Sequence, residues 1–260
     1  MRNNKAYGKF KVARKYLKYY LKSSTKHEIH SPFVFEFINE VLSKQHHQKN
    51  KNIEKERKRL KASKQSIAFV DYGKNGNIFT RNVSEIAKNS LKHPKYARLI
   101  AQCIEYYKAH RVLEIGTSLG ITTAYLASVK NTIITTLEGD TTVINLAKNV
   151  WGQLGLENIR SIAGNFDNTL DQVSNDEFDL IFLDGNHRYE PTLRYFGRLK
   201  SSSKKSTLII LDDIHYSKEM ENAWNAIKED ADVTITMDLF FIGIVSLNTS
   251  YTKQNFVLKY

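Results

Sequence analysis

The stretch Arg111-Val-Leu-Glu-Ile-Gly-Thr-Ser-Leu-Gly-Ile-Thr-Thr-Ala-Tyr-Leu-Ala127 admits few local structures. Val112, Leu113 and Ile115 form the apolar run of a strand covered on both faces, as the strands of parallel sheets are. Gly116 and Gly120 permit a tight turn and the close approach of something bulky. Thr122 to Ala127 then continue as a helix, whose N-terminal N–H groups and dipole favour a negatively charged ligand group. The order strand, glycine turn, helix reads as a ligand-binding turn. Its spacing, Gly116-Thr-Ser-Leu-Gly120, departs from the G-x-G-x-x-G of dinucleotide folds, and no Gly-Lys-Ser/Thr follows to make a P-loop.

Downstream, the pattern alternates. Thr132 to Leu137 is a β-branched strand ending at Glu138, and Val143 to Leu154 is a helix closed by Gly155. Strands follow at Ile159 to Ala163, Phe178 to Leu183 and Thr207 to Leu211. They end at Gly164-Asn165-Phe166, at Asp184 and at Asp212-Asp213. Strands separated by helical patterns give a parallel, doubly wound α/β sheet with functional groups at the carboxyl ends of the strands. Val233 to Met237 and Phe241 to Leu247 are too close for a parallel crossover, so an antiparallel hairpin is expected there.

The first third of the chain has another character. Residues 1–70 hold 18 Lys/Arg against 5 Asp/Glu, whereas residues 71–260 hold 21 against 22, so the excess of the +12 net charge is N-terminal. Residues 6–22 set Phe10, Ala13, Leu17, Tyr20 and Leu21 at helical spacing among lysines, a basic amphipathic helix whose Tyr16, Tyr19 and Tyr20 are expected to pack on the protein itself. Ser31 and Pro32 read as N-cap and first residue of a second helix running through Leu42. A charged helix over Glu54 to Lys61 is expected to be exposed, and His46-His47 before it reads as a surface pair. Ile67 to Gly73, followed by the turn signal Asn75-Gly76, is read as a hook onto the rest of the chain. Ser84 to Ser90 and Lys95 to Lys108 read as helices. The expected division is a basic, mainly helical extension over 1–83 and a catalytic domain over 84–260. One cysteine, Cys103, excludes an intrachain disulfide, and no apolar run is long enough for a signal peptide or membrane span, so a cytoplasmic protein is expected.

Glu114-Ile-Gly-Thr-Ser-Leu-Gly120 with Glu138, 22 residues beyond Gly116, resembles the motifs of class I S-adenosylmethionine-dependent methyltransferases, in particular the catechol-type O-methyltransferases. The resemblance spans roughly residues 84–247. HEIHSPFVFEF, DGNHRYEPTLRYF and LDDIHYSKEMENAW are similar to a bacterial subgroup of that class. It implies a mostly parallel seven-stranded sheet with a terminal antiparallel strand and a cofactor site of Glu114, Gly116, Thr117, Ser118, Gly120, Thr122, Glu138, Asn165, Phe166, Asp184 and Gly185. Glu138 would take the ribose, Thr117, Ser118 and Thr122 the methionine end, and Asn165 and Phe166 the adenine. Three carboxylates at neighbouring strand ends call for a hard cation such as Mg²⁺. The resemblance implies Asp184, Asp212 and Asp213 as its ligands, although the family carries an asparagine where Asp213 stands. His187 occupies the place of the family's catalytic lysine and is suited to take a proton near neutral pH, so His187 and Asp184 are the expected catalytic pair.

The expected reaction is methyl transfer from S-adenosylmethionine to the hydroxyl of a small molecule, assisted by a divalent metal. The basic N-terminus is expected to meet an anionic partner. The alternatives are a metal-independent methyltransferase acting on RNA or another anionic polymer, and a non-catalytic cofactor-binding protein. The sequence lacks the Asn/Asp-Pro-Pro-Tyr/Phe by which amino-methylating nucleic-acid enzymes grip a base, which favours the small acceptor.

Overall fold

The computed structural model describes residues 6–43, 50–71 and 77–260. His46-His47, Gly73 and Asn75-Gly76 lie outside these residues. The described chain forms two compact units, one of residues 50–175 and one of residues 6–43 and 176–260.

In the first unit, β3 (Arg111–Ile115), β4 (Ile133–Glu138) and β5 (Ile159–Ala163) run parallel in the order β3-β4-β5. The register sets Glu114 beside Thr136 and Glu138 beside Ala163. The connections are helical: α6 (Ile121–Ala127) after β3 and α7 (Thr141–Gln153) after β4, with the short α8 (Phe166–Thr169) following β5. Every residue of α6 is buried, as expected of a helix lacking a polar face. Gly155, in the left-handed region at φ +66°, closes α7 as the sequence predicts. α5 (Pro94–Tyr107) leads into β3 with Ala97, Leu99, Ile100, Cys103 and Ile104 buried.

The hook proves to be a hairpin, β1 (Ser66–Asp71) against β2 (Asn77–Asn82). The strand after the turn escaped the sequence reading because Asn77-Ile-Phe-Thr-Arg-Asn82 alternates weakly and is largely exposed. The backbone N–H of Val70 donates to Asp140 Oδ2 at 2.8 Å, while Asp140 Oδ1 caps α7 through Thr142 and Val143. One carboxylate thus ties the hairpin to the start of α7. α3 (Lys51–Ala62), expected to be exposed, instead buries Ile53, Glu56, Arg57 and Leu60. Its apolar residues join Val83 and Ile86 of α4 (Val83–Ser90) and Leu119, Tyr125 and Trp151 in one core. Its buried charges are paired: Arg57 donates to Glu54 and to the carbonyl of Lys92, Glu56 accepts from Arg59, and Tyr125 Oη donates to Glu54 at 2.8 Å. Composition alone read the charges and missed the Ile53–Leu60 stripe at helical spacing.

The second unit orders its strands β10-β8-β9-β7-β6. β6 (Leu180–Leu183) and β7 (Leu208–Asp212) are parallel; β9 (Ile242–Ser246) is antiparallel to both β7 and β8 (Ile235–Asp238), as the expected hairpin requires. β10 (Gln254–Val257) adds a further strand parallel to β8, so this unit has five strands where the sequence reading gave it four. Asn255-Phe256-Val257 is too short to declare a strand. Between the strands run α9 (Tyr189–Ser201) and α10 (Lys218–Glu229), the latter burying Met220, Ala223, Trp224 and Ile227 at i, i+3, i+4, i+7 spacing. Gly243 lets the Trp224 ring lie on β9, since a Cβ there would stand 2.7 Å from Trp224 Cζ3. α1 (Lys9–Lys22) and α2 (Pro32–Phe37) complete this unit. Ser31 accepts from the Val34 N–H, and α2 widens into one π turn, Ile38–Leu42, with Val34, Phe37 and Val41 fully buried. After α1, the Ser24 N–H donates to the Val257 carbonyl at 2.8 Å, pairing the β10 edge.

Candidate active site

The turn after β3 is built from buried hydroxyls around one carboxylate. Glu114 Oε2 accepts from Thr123 Oγ1 of α6 and Thr136 Oγ1 of β4, both at 2.6 Å. Thr117 Oγ1 lies 2.6 Å from Thr136 Oγ1 in the same network. Gly116 and Gly120 take φ of +104° and +75°, which only glycine adopts without strain. The bulky group approaching Gly120 is Trp151: its indole N–H donates to the Gly120 carbonyl at 2.9 Å, and a Cβ on Gly120 would stand 2.6 Å from that nitrogen. Ser118, at φ +49°, turns its N–H onto Glu138 Oε2 at 2.8 Å. Glu138 Oε1 accepts from Gly139 N–H at 2.8 Å. Burial pushes the Glu138 carboxyl above its ordinary pKa against the pull of the Ser118, Asp140 and Gly139 N–H groups. Three N–H partners leave a carboxylate with lone pairs for further donors.

Among the residues expected at the cofactor, Glu114, Thr117, Gly120, Thr122 and Gly185 are buried. Gly116, Ser118, Glu138, Asn165, Phe166 and Asp184 keep partial exposure. Asn165 Oδ1 accepts from the Asp167 N–H at 2.9 Å and so caps α8, which fixes the chain where Phe166 begins it. The buried members shape the turn and the half-buried ones are open to a ligand.

In the second unit, the ends of β6 and β7 gather acids. Asp184, His187 and Asp212 each offer one ligand atom, and these atoms lie within 4.8 Å of one another. His187 Nε2 is 3.5 Å from Asp184 Oδ1, and Asp212 is 1% exposed. Among the described residues this is the only such group, and Asp213 stands outside it, its N–H donating to the Phe241 carbonyl at 2.7 Å. Two carboxylate oxygens fit a hard divalent ion such as Mg²⁺ or Mn²⁺, with an imidazole nitrogen beside them. Asn186 at φ +55° and Asp213 at φ +53° hold left-handed backbone in the loops after β6 and β7, as Ser118 does after β3. Such conformations concentrate at ligand clamps. Glu219, in the first turn of α10, accepts the Tyr189 N–H at 3.1 Å and pins the start of α9 just after His187.

A family model described as a methyltransferase domain matches residues 113–214. Over residues 113–214 the chain is similar to a methyltransferase domain. Solved structures agree in fold. An O-methyltransferase from Bacillus cereus in complex with S-adenosylhomocysteine is 19% identical, with a TM-score of 0.57 over 82% of this chain and 97% of that one. The O-methyltransferase TomG from Streptomyces achromogenes, in complex with S-adenosylmethionine, is 17% identical, with a TM-score of 0.53 over 61% and 82%. The S-adenosylhomocysteine-bound methyltransferase PaMTH1 of Podospora anserina is 17% identical, with a TM-score of 0.51 over 63% and 92%. Among curated proteins no match is found.

Beside its acid group the methyltransferase holds a charged cluster that sequence spacing does not announce. His215 Nε2 lies 2.8 Å from Asp238 Oδ2 and its Nδ1 3.3 Å from Glu221 Oε1. Lys15 Nζ and Tyr7 Oη of the N-terminal segment donate to Glu221 at 2.6 and 2.9 Å. Burial pulls the His215 imidazole down, but hydrogen bonds and charge from Asp238 and Glu221 outweigh it and lift the pKa to about 9. Burial would raise Glu221, yet its bonds to His215, Lys15 and Tyr7 bring it to about 2. Tyr7 N–H donates to the Tyr216 carbonyl at 2.9 Å, and the Tyr216 ring lies 5.7 Å from that of His187. The N-terminal segment therefore borders the acid group. The one available signal was His215-Tyr216 following Asp212-Asp213-Ile214; nothing in the sequence marks Asp238, Glu221, Lys15 or Tyr7 as its partners.

Proposed function

We propose that this methyltransferase transfers the methyl group of S-adenosylmethionine to the hydroxyl of a small acceptor, assisted by a divalent cation. The observation that carries the reading is the meeting of Asp184, His187 and Asp212 at the ends of two parallel strands. When bound, the donor supplies a methyl group on a sulfonium and the cation lowers the acceptor hydroxyl's pKa. Asp184 and Asp212 would hold the cation; Asp213, set apart from the group, is the ligand this reading needs least. His187 takes the acceptor's proton on its ring nitrogen while Asp184, 3.5 Å away, keeps the imidazole oriented. Glu138 accepts the ribose hydroxyls with the lone pairs its N–H partners leave. The turn of Gly116, Thr117, Ser118 and Thr122 borders the methionine end, and Asn165 and Phe166 the adenine. Residues 84–260 are the catalytic part in this reading and residues 1–83 an extension bordering the acceptor. A cytoplasmic setting belongs to the same reading.

Calorimetry with S-adenosylhomocysteine and, separately, Mg²⁺ or Mn²⁺ tests it. Saturable binding of the product is expected, weakened by roughly 1.5–3 kcal/mol in Glu138→Gln through loss of charge-assisted hydrogen bonds. Methyl transfer to catechol-like hydroxyls is expected to stop in EDTA and return with the cation. Transfer untouched by EDTA removes the metal. Tight RNA binding with a steep salt dependence, together with RNA methylation, replaces the small acceptor by a polymer.

A further inference from the structure

α1 carries two apolar faces, and the described residues cover only one of them. Turning about 100° per residue, Val12, Tyr16 and Tyr19 fall together. Tyr19 is buried with its hydroxyl donating to the Leu258 carbonyl, and the rings of Tyr16 and Tyr19 lie 5.1 and 5.3 Å from that of Phe240. With the Lys15 and Tyr7 bonds to Glu221 this face fixes the helix to the unit. On the opposite side Phe10, Leu17 and Leu21 are 86%, 59% and 76% exposed. Arg14, Lys18, Lys11 and Lys22 edge this stripe on one flank and Lys9 beside exposed Tyr20 on the other, and the helix contains no acidic residue.

We propose that the outward face of α1 docks on an anionic phospholipid surface, Phe10, Leu17 and Leu21 entering the boundary between headgroups and acyl chains and the flanking cations meeting lipid phosphates. Charge complementarity decides the occupant. A second copy of the chain would bring five cations against five. A nucleic acid would meet the cations only across a crest of side chains that offers no hydrogen bond to a base edge or phosphate. An anionic bilayer takes both parts at once, because long basic side chains reach outward to the phosphates while the apolar crest sinks in. Among the described residues no helix is long and apolar enough to cross a membrane, so the attachment is peripheral.

The test is co-sedimentation of the full-length protein with phosphatidylcholine vesicles made with and without phosphatidylglycerol. Binding is expected only where phosphatidylglycerol is present, weakening as salt rises. The combined variant Phe10→Ser, Leu17→Ser, Leu21→Ser should bind roughly tenfold or more weakly, as the apolar area that enters the interface is lost. It should keep the wild-type melting temperature, because these side chains face solvent. Lys18→Gln and Lys22→Gln should each cost about fivefold. The proposal is overturned by failure to bind vesicles of either composition, or by wild-type binding in the triple variant. RNA binding without vesicle binding, or self-association that the triple variant abolishes in the absence of vesicle binding, overturns it equally.

Discussion

The turn after β3 and the strand ends after β6 and β7 both carry polar residues that the proposed methyl transfer calls on, but they are held in different ways. The turn is closed on itself. Glu114 is wrapped by Thr123 and Thr136, and Gly120 lies under Trp151, so the residues that define the motif are also the packing of the first unit's core. The acid-bearing ends are held from outside their own loops. Glu219 of α10 pins the chain beyond His187, and Tyr7 and Lys15 of the N-terminal segment reach the loop through Tyr216 and Glu221. In the first region a change in the proposed function is expected to come with a change in fold, whereas in the second the two should be separable.

The sharpest break in that comparison is expected at His187. Its side chain is partly exposed and touches Asp184 and the Tyr216 ring without belonging to the core. His187→Gln should therefore lower turnover by roughly 10² to 10⁴, the usual cost of losing a general base. Its melting temperature should stay within a degree or two of wild type. Turnover kept within a few-fold would make the imidazole a bystander or a metal ligand that glutamine replaces; loss of turnover together with loss of fold would erase the distinction between the regions.

Gly120 tests the opposite side. An alanine there must place its Cβ 2.6 Å from Trp151 Nε1 and 2.8 Å from Ala147 Cβ while holding φ at +75°. Overpacking and left-handed strain together should cost about 2–4 kcal/mol in denaturant unfolding. Gly243→Ala, whose nearest neighbours are Trp224 and Ile214 and whose backbone is not left-handed, should cost less, about 1–3 kcal/mol. A Gly120→Ala protein of wild-type stability would show that Trp151 yields, and that the glycine serves the ligand alone.

This difference also explains how much could be read in the sequence. The turn was legible because its determinants are local: an apolar run, two glycines and an acid 22 residues on. The strand ends were legible as a constellation too, since the acids after β6 and β7 were expected to converge with His187 beside them, although its membership differs in one residue. His187, assigned the proton, joins the two acids, and Asp213, assigned to the metal, does not. The backbone of Asp213 takes φ +53°, a conformation that no spacing rule conveys. The burial of α3 and the addition of β10 were hidden for a related reason. Both depend on tertiary partners, Tyr125 and the hairpin for one and β8 for the other, that no window of neighbouring residues contains. The helix α1 was read as basic and amphipathic, but only the structure shows that Tyr16 and Tyr19 face inward while Phe10, Leu17 and Leu21 face out.

The smallest expected effect concerns pH. His215 stands between Asp238 and Glu221, which faces it together with Lys15 and Tyr7. The imidazole pKa is raised from an ordinary 6.5 to about 9, so its contribution to stability is complete below about pH 6.5 and is lost as pH rises through 9. Glu221 is lowered from 4.5 to about 2, so its contribution is complete above pH 4.5 and is lost as pH falls through 2. The hold of α1 on α10 should therefore be firmest between about pH 4.5 and 6.5 and loosen on either side. Tyr7, its hydroxyl pushed up to about 12 by burial and by Glu221, stays protonated throughout and adds no slope. Denaturant unfolding of the wild type should lose on the order of 1 kcal/mol between pH 6.5 and 9, after discounting for solvent screening of the exposed parts of the cluster. His215→Gln, which keeps a hydrogen-bonding side chain without the titration, should flatten this alkaline limb and leave the acid limb, carried by Glu221 and Lys15, in place. Parallel curves for the two proteins from pH 6.5 to 9 would mean that the imidazole is already neutral in the folded chain, and that Lys15 and Tyr7 alone hold the N-terminal helix against Glu221.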